Sequence, residues 1–380
     1  MKLKGNPGDD KFKSLNQILE RQLDANYDLG ASMAVAVDGE IVLDVWGGWA
    51  DEEHNKPWEA DTITNVWSTT KTMTAISALL LMERGSLDPD ATVASYWPEF
   101  AQNGKQDILV RHILSHTSGV SAWAQPVTTE AILDDEGATA RLAAQAPWWE
   151  PGTAFGYHAL NQGHLVGEVI KRIDGRGLKQ FFAEDVAGPL DADFTIGSPP
   201  ENHHRISNVT PPPPLPLPPD LHPESVTFKT FNGPQPEAEI AHTASWRAAT
   251  IGAANGHGNA RSVAKIQAVI SNGGFSHGVQ LLSPETIDRI FVAQPHGVDQ
   301  VLMMPVRFGL GYDLAAATNS VGITSGKKCY WGGWGGSLVL NDLDNCITLT
   351  YMMNRMQAGF VGNETSIALI AALNQIVGSS

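Results

Sequence analysis

The two ends of this chain are β-rich and its middle is not, a split that limits the fold more than any other feature. Residues 31–48, ASMAVAVDGEIVLDVWGG, form two β-rich runs around Asp38-Gly39. An Asp-Gly pair between such runs signals a hairpin, because both residues tolerate the positive φ of a tight turn. Near the other end, GLGYDL (309–314), YWGGWGGSLVLND (330–342) and CITLTYMMN (346–354) read as three more strands. Residues 10–25 place Phe12, Leu15, Ile18, Leu19 and Leu23 at helical spacing, and ETSIALIAALNQIV (364–377) reads as a helix capped by Asn363. The termini therefore supply a mostly antiparallel sheet flanked by terminal helices. The middle holds helical runs and loops without regular βαβ alternation. The expected class is α/β in the α+β sense. Residues 1–85 and 246–380 form a discontinuous sheet domain, residues 86–245 a helical, loop-rich lobe, and the active site lies between them.

Composition narrows the function. The chain has 380 residues, 42% hydrophobic and 17% charged, which suits a large core. Eleven tryptophans allow a pocket partly walled with indole. A formal net charge of −16 without a basic stripe excludes nucleic acid and anionic lipid as partners. MKLKGNPGDD has no apolar core of a secretory signal, and no apolar run is long enough to span a membrane. Cys329 and Cys346 are too few for a disulfide framework, so the expected compartment is the cytoplasm. Adjacent His203 and His204 face opposite ways in extended chain and no metal-ligand spacing occurs, so neither metal nor cofactor is expected. TPPPPLPLPPDLHPES (210–225) is an extended polyproline stretch, read as a stiff loop shaping the rim of a site, with recruitment of a proline-binding module as the alternative.

Two serines compete for the role of nucleophile. Gly274-Phe275-Ser276-His277-Gly278 matches G-x-S-x-G, but a nucleophile elbow needs a strand before the serine and a helix after it. Here ARSVAKIQAVIS reads as a helix ending at Asn272-Gly273-Gly274, and the next helix starts only near Ser283-Pro284. Among the histidines that follow, His296 is preceded only by Asp288, in the same local segment. The match reads as a glycine-rich turn. Ser68, in NVWSTTKTMTAISALLLMERGS, opens a helix that stops at Gly85. Lys71 lies three residues on, which sets hydroxyl and amine on one helix face. The helix N-terminus favours negative charge developing at the serine, and a desolvated lysine can accept its proton. Tyr157, after a Pro-Gly turn in WWEPGTAFGYHALNQGHLVGEVIKRIDG, can join the proton transfer. Glycines inside YWGGWGGSLVLND mark a close approach by another backbone or a ligand. A strand edge there would offer the Trp334 N–H as second oxyanion donor beside the Ser68 N–H.

These pieces, WSTTK, ILSHTSG, PGTAFGYHALNQGHLVGEVI, AANGHGNARSVAKI and YWGGWGGS, occur in the order found in the serine β-lactamase and penicillin-binding-protein superfamily. The chain most resembles its carboxylesterase branch, the family VIII esterases. The resemblance implies a β-lactamase/transpeptidase-like fold, Ser68 as nucleophile, Lys71 and Tyr157 sharing the base and acid roles, and Trp331-Gly332-Gly333 where the lactamases carry Lys-Thr-Gly. His116, in LSHTSG, is read as structural. Two departures stand out. Tyr-x-Asn is Tyr157-His158-Ala159 here, and Asn161 falls two positions late. The lysine of Lys-Thr-Gly is Trp331, one N–H donor with no charge, and losing a charge-assisted contact costs about 2 kcal/mol. Lys327 and Lys328 lie nearby in sequence without having to reach the site. Both changes point from antibiotic carboxylates to neutral esters.

The reading is therefore a serine hydrolase of small carboxylic esters acting through acyl-Ser68. Transfer of the acyl group to a small-molecule alcohol and weak β-lactamase activity are the alternatives. A non-catalytic binding protein is the alternative of a different class.

Overall fold

A computed structural model describes residues 2–214, 221–234, 236–292, 294, 297–316, 321–359 and 361–378. Residues 215–220 of the polyproline stretch and His296 lie outside the described residues. The main sheet has seven strands: β1 (Lys4–Asn6), β2 (Gly30–Val37), β3 (Glu40–Gly48), β4 (Asp313–Leu314), β5 (Lys328–Gly332), β6 (Leu338–Asp342) and β7 (Ile347–Met353). Its order is β1-β3-β2-β7-β6-β5-β4 and every pairing is antiparallel. The sheet thus closes at β2·β7, where Ala34 faces Thr350 across more than 300 residues of chain. The hairpin turns at Asp38 (φ 51) and Gly39 (φ 82), the left-handed pair that an Asp-Gly turn permits.

YWGGWGGSLVLND, expected as one strand, is two. β5 and β6 are joined by a turn through Gly335 (φ 90) and Gly336 (φ 133), so the glycines make the corner as well as the close approach.

One face of the sheet buries Leu15, Leu19 and Leu23 of α1 (Lys13–Asp24) with Leu369, Ile370 and Leu373 of α5 (Glu364–Gly378). Asn363 caps α5: its Oδ1 accepts the Ser366 N–H at 2.9 Å. The other face carries α4 (Ala260–Ser271) and the buried α2 (Thr70–Glu83), which packs on α3 (Gln162–Asp174). A four-stranded sheet of Phe194–Ile196, Gly256–Gly258, Ile63–Asn65 and Ile206–Ser207 lies beside the start of α2. No described helix is long and apolar enough to cross a membrane.

Candidate active site

Ser68 sits on a 3-10 turn, Trp67–Thr69, that runs into α2. Trp67 is buried with φ 50, a left-handed conformation that a bulky residue adopts only when its surroundings impose it. The surroundings are visible. Trp67 packs against Trp246 and edge-on against Trp334. The turn is pinned by Val66 N–H to Gly256 O (2.9 Å), Gly256 N–H to Thr70 Oγ1 (2.8 Å) and Ser337 Oγ to Val66 O (2.8 Å). Gly333 is glycine for the same reason: a Cβ there would lie 2.3 Å from both Val66 O and Ser337 Oγ. The close approach that the sequence implied at these glycines is the approach of the β5–β6 turn to the residues just before Ser68.

Lys71, one turn along α2, is 1% exposed. Its Nζ lies 3.2 Å from Ser68 Oγ and donates to two main-chain carbonyls, Ala159 O at 2.8 Å and Ala253 O at 3.0 Å. Burial holds its pKa well below that of a free lysine. Tyr157 Oη donates to Ser68 Oγ at 2.9 Å. Burial raises the phenol pKa, while the bond to Ser68 and the neighbouring Trp331 N–H oppose the rise and the charge of Asp299 adds to it. Serine, amine and phenol, drawn from positions 68, 71 and 157, therefore meet at one oxygen.

The other expected site residues divide. Trp334 lines the cleft above Ser68, and among the described residues neither its N–H nor that of Ser68 has a hydrogen-bond partner. Trp331 does not line the cleft. It is 2% exposed, stacked behind Tyr157 (centroids 5.2 Å apart) and against Phe308, because the pleat of β5 turns its indole to that side. Its N–H lies near the phenol without a well-formed hydrogen bond. The expectation that its indole touches substrate is corrected accordingly. Gly332 and Gly333 also lie behind the wall. Asn161 donates to Val120 O, away from the site. Lys327 bonds Asp288, and Lys328 is paired with Asp342.

His116, read as structural from its motif, and His158 pack around the phenol. His116 lies edge-on to Tyr157 at 4.9 Å. His158 Nδ1–H donates to Gly156 O (2.6 Å), so its Nε2 accepts from Ser118 Oγ (2.6 Å). Burial lowers both imidazoles, His158 to about 3, so both are neutral. LSHTSG was the only sequence signal for this.

The cleft over Ser68 and Tyr157 has a volume of about 600 Å³. Pro211–Pro214, Phe231 and Leu160 make its walls, and among the described residues its only charged lining residues are Glu237 and Glu239. The proline wall is anchored where Thr210 N–H bonds Asn354 O and Met356 N–H bonds Thr210 O. Ser276, the rival nucleophile, is buried and donates to Lys265 O at 2.7 Å, between α4 and a short extended piece.

The family model described as Beta-lactamase matches residues 15–372. This chain belongs to the beta-lactamase family. Within it, the chain is 33% identical over 358 residues to the Esterase/beta-lactamase LipL of Mycobacterium tuberculosis, covering 88% of this chain and 80% of that protein. A crystal structure of a family VIII carboxylesterase superposes with a TM-score of 0.92 at 34% identity over 99% of this chain and 100% of that one. A penicillin-binding protein homolog from Caulobacter crescentus gives 0.91 at 32% identity over 99% and 100%. The fold expected from the motifs is the fold observed.

Proposed function

We propose that this protein is a serine carboxylesterase that cleaves small uncharged esters through an acyl-Ser68 intermediate. The observation that carries the reading is the convergence of Lys71 Nζ (3.2 Å) and Tyr157 Oη (2.9 Å) on Ser68 Oγ at the floor of an apolar cleft. The esterase named among its relatives supports it. With the amine neutral, as burial favours, its two N–H bonds go to Ala159 O and Ala253 O and its lone pair faces Ser68. Lys71 then takes the serine proton as Oγ bonds to the ester carbonyl carbon. The oxyanion is held by the Ser68 and Trp334 N–H groups. The carbon–oxygen bond breaks and the alcohol leaves with a proton from the Tyr157/Lys71 pair. Water removes the acyl group by the reverse steps. In this reading the cleft lies between a sheet unit (residues 1–85 and 246–380) and a helical lobe (86–245), and the unpaired Cys329 and Cys346 suit a reducing compartment such as the cytoplasm.

The substrate is uncharged because, among the described residues, no cation lines the cleft to meet a carboxylate, while Glu237 and Glu239 repel one. Intact-mass spectrometry with a panel of p-nitrophenyl esters tests the reading. A transient acyl adduct on the native chain and none on Ser68→Ala is expected; an adduct or undiminished turnover on Ser68→Ala refutes it. The proline and aromatic walls favour a second reading, transfer of the acyl group to an apolar alcohol. Adding such an alcohol then yields new ester faster than free acid. A chromogenic cephalosporin, with its carboxylate, is turned over more slowly than a neutral ester by about 30-fold, the equivalent of one lost charge-assisted contact.

A further inference from the structure

We propose that Asp299 is a positioning residue for Tyr157, acting through the backbone of residues 155–158 without touching substrate. The inference rests on the reading of Tyr157 as a proton-transfer group. Residues 155–158 are extended and belong to no helix or strand. Their peptide groups are instead gripped alternately from two sides. On one side His116 O accepts the Gly156 N–H at 3.0 Å and His116 Nδ1 accepts the His158 N–H at 3.1 Å. On the other, Phe155 O accepts the Gln300 N–H at 2.9 Å and Asp299 Oδ1 accepts the Tyr157 N–H at 3.1 Å. The segment is held like a strand, but the rungs at Tyr157 and His158 are made by side chains.

Asp299 is fully buried and comes from 142 residues away in the chain. Its Oδ1 also accepts the Val301 and Leu302 N–H groups, each at 2.8 Å, which fixes the carboxyl to its own turn. Val301 and Val306 from the same loop pack with Phe155, Tyr157, Phe308 and Trp331 in one cluster. The loop therefore sets both the height of the Tyr157 backbone and the packing behind its ring. Its Oδ2 has no hydrogen-bond partner among the described residues, and no cation pairs with it. Burying a carboxyl this way is costly, and an apolar side chain would fill the space at less cost but could not take the Tyr157 N–H. The titratable groups that face the phenol are Lys71, His116, His158 and Asp299, and Asp299 is the only acid among them.

The test measures kcat and KM for an ethyl ester with Asp299→Ala and Asp299→Asn, alone and combined with Tyr157→Phe. A misplacement of about 1 Å at a catalytic group costs roughly 100-fold in rate. Asp299→Ala is expected to lower kcat by about that factor with KM within about threefold, and to add no further loss in the Tyr157→Phe background. Asp299→Asn keeps an oxygen for the Tyr157 N–H, so kcat is expected within about fivefold of the native value. Three results overturn the proposal: a native kcat in Asp299→Ala, the same fractional loss with and without the phenol, or an Asp299→Asn variant whose kcat falls by about 100-fold although it keeps the accepting oxygen. The last decides the matter if Asp299→Ala does not fold. Full activity in Tyr157→Phe refutes the role of Tyr157 itself; an inactive Tyr157→Phe beside a fully active Asp299→Ala refutes only the positioning.

Discussion

Tyr157→Phe separates the two proton-transfer roles. The substitution removes one oxygen and little else. The ring stays packed edge-on to His116 at 4.9 Å and against Trp331 at 5.2 Å. The one bond lost is the 2.9 Å contact to Ser68 Oγ, worth about 1 kcal/mol net, so Tm should move by only about 2 °C in a chain of this size. The kinetic loss is larger and depends on the alcohol. Lys71, still 3.2 Å from Ser68, can take the serine proton, but the phenol that relays it to a departing alkoxide is gone. General acid catalysis contributes about 10²–10⁴-fold, so kcat/KM for an ethyl ester should fall by about 10³, near 4 kcal/mol. A p-nitrophenolate leaves without a proton, so the loss for p-nitrophenyl acetate should be about 10-fold or less. Base titration follows the ethyl ester and absorbance the nitrophenyl ester. Equal losses on both would make the phenol the first base and refute the assignment of that role to Lys71; a loss under about fivefold on the ethyl ester would remove Tyr157 from the reaction.

The remaining predictions concern the rival serine, the turn behind Ser68 and a buried acid. Ser276→Ala should leave kcat/KM within about twofold, since its buried hydroxyl is taken up by Lys265 O, Gly39 O and His277 Nδ1, away from the cleft; a loss of about 100-fold in a folded variant would reopen the G-x-S-x-G reading. Gly333→Ala must displace the Val66 carbonyl or Ser337, and is expected to cost about 100-fold in kcat with a lower Tm by thermal melt; native kinetics would show that the turn does not set the position of Ser68. Asp28 is 1% exposed, bonded by Tyr351 Oη (2.6 Å) and Thr365 Oγ1 (3.0 Å), and burial raises its pKa from 3.8 to about 6. A carboxyl raised on folding contributes its full stability below pH 4 and loses it as pH rises to about 6, a change on the order of 3 kcal/mol. Asp28→Asn should therefore flatten the pH dependence of Tm between pH 4 and 6; an unchanged slope in calorimetry would refute the assignment.

Much of this was legible because the chemistry is local. Ser68 and Lys71 share the first turns of one helix, so spacing alone put their side chains together. The Asp38-Gly39 turn and the Asn363 cap were legible because the residues that form them are adjacent in sequence. Trp331 was misplaced because its neighbourhood was known while its face was not. Along β5, Tyr330 packs toward the terminal helices and Trp331 toward Tyr157, and only the register against Val339 fixes that alternation. Asp299 left no trace because it acts on a backbone N–H, and the identity of residue 157 does not change what that N–H needs. A rim was expected of the polyproline stretch because a chain without N–H groups cannot enter a sheet, and its first prolines, Pro211–Pro214, line the cleft. Its seat against Phe231 and over Ser68 depends on the anchor at Thr210 and Asn354, a contact between distant segments.

The same burial explains both the chemistry and the choice of substrate. It lowers the amine pKa and raises that of the phenol, which favours the uncharged form of both. His116 and His158 are kept neutral by the same desolvation, and among the described residues no arginine or lysine lines the cleft. In the proposed reaction charge develops at Ser68 only when the ester carbonyl is attacked, beside two N–H groups that have no other partner among the described residues. Any substrate that brings its own carboxylate would have to be desolvated against apolar walls and two glutamates before that stage, without a cation to offset the cost. An uncharged ester meets no such penalty. An Asp or Glu beside Lys71 would hold its proton and remove the base, so the reaction depends on the main-chain carbonyls of Ala159 and Ala253 serving as acceptors without carrying charge.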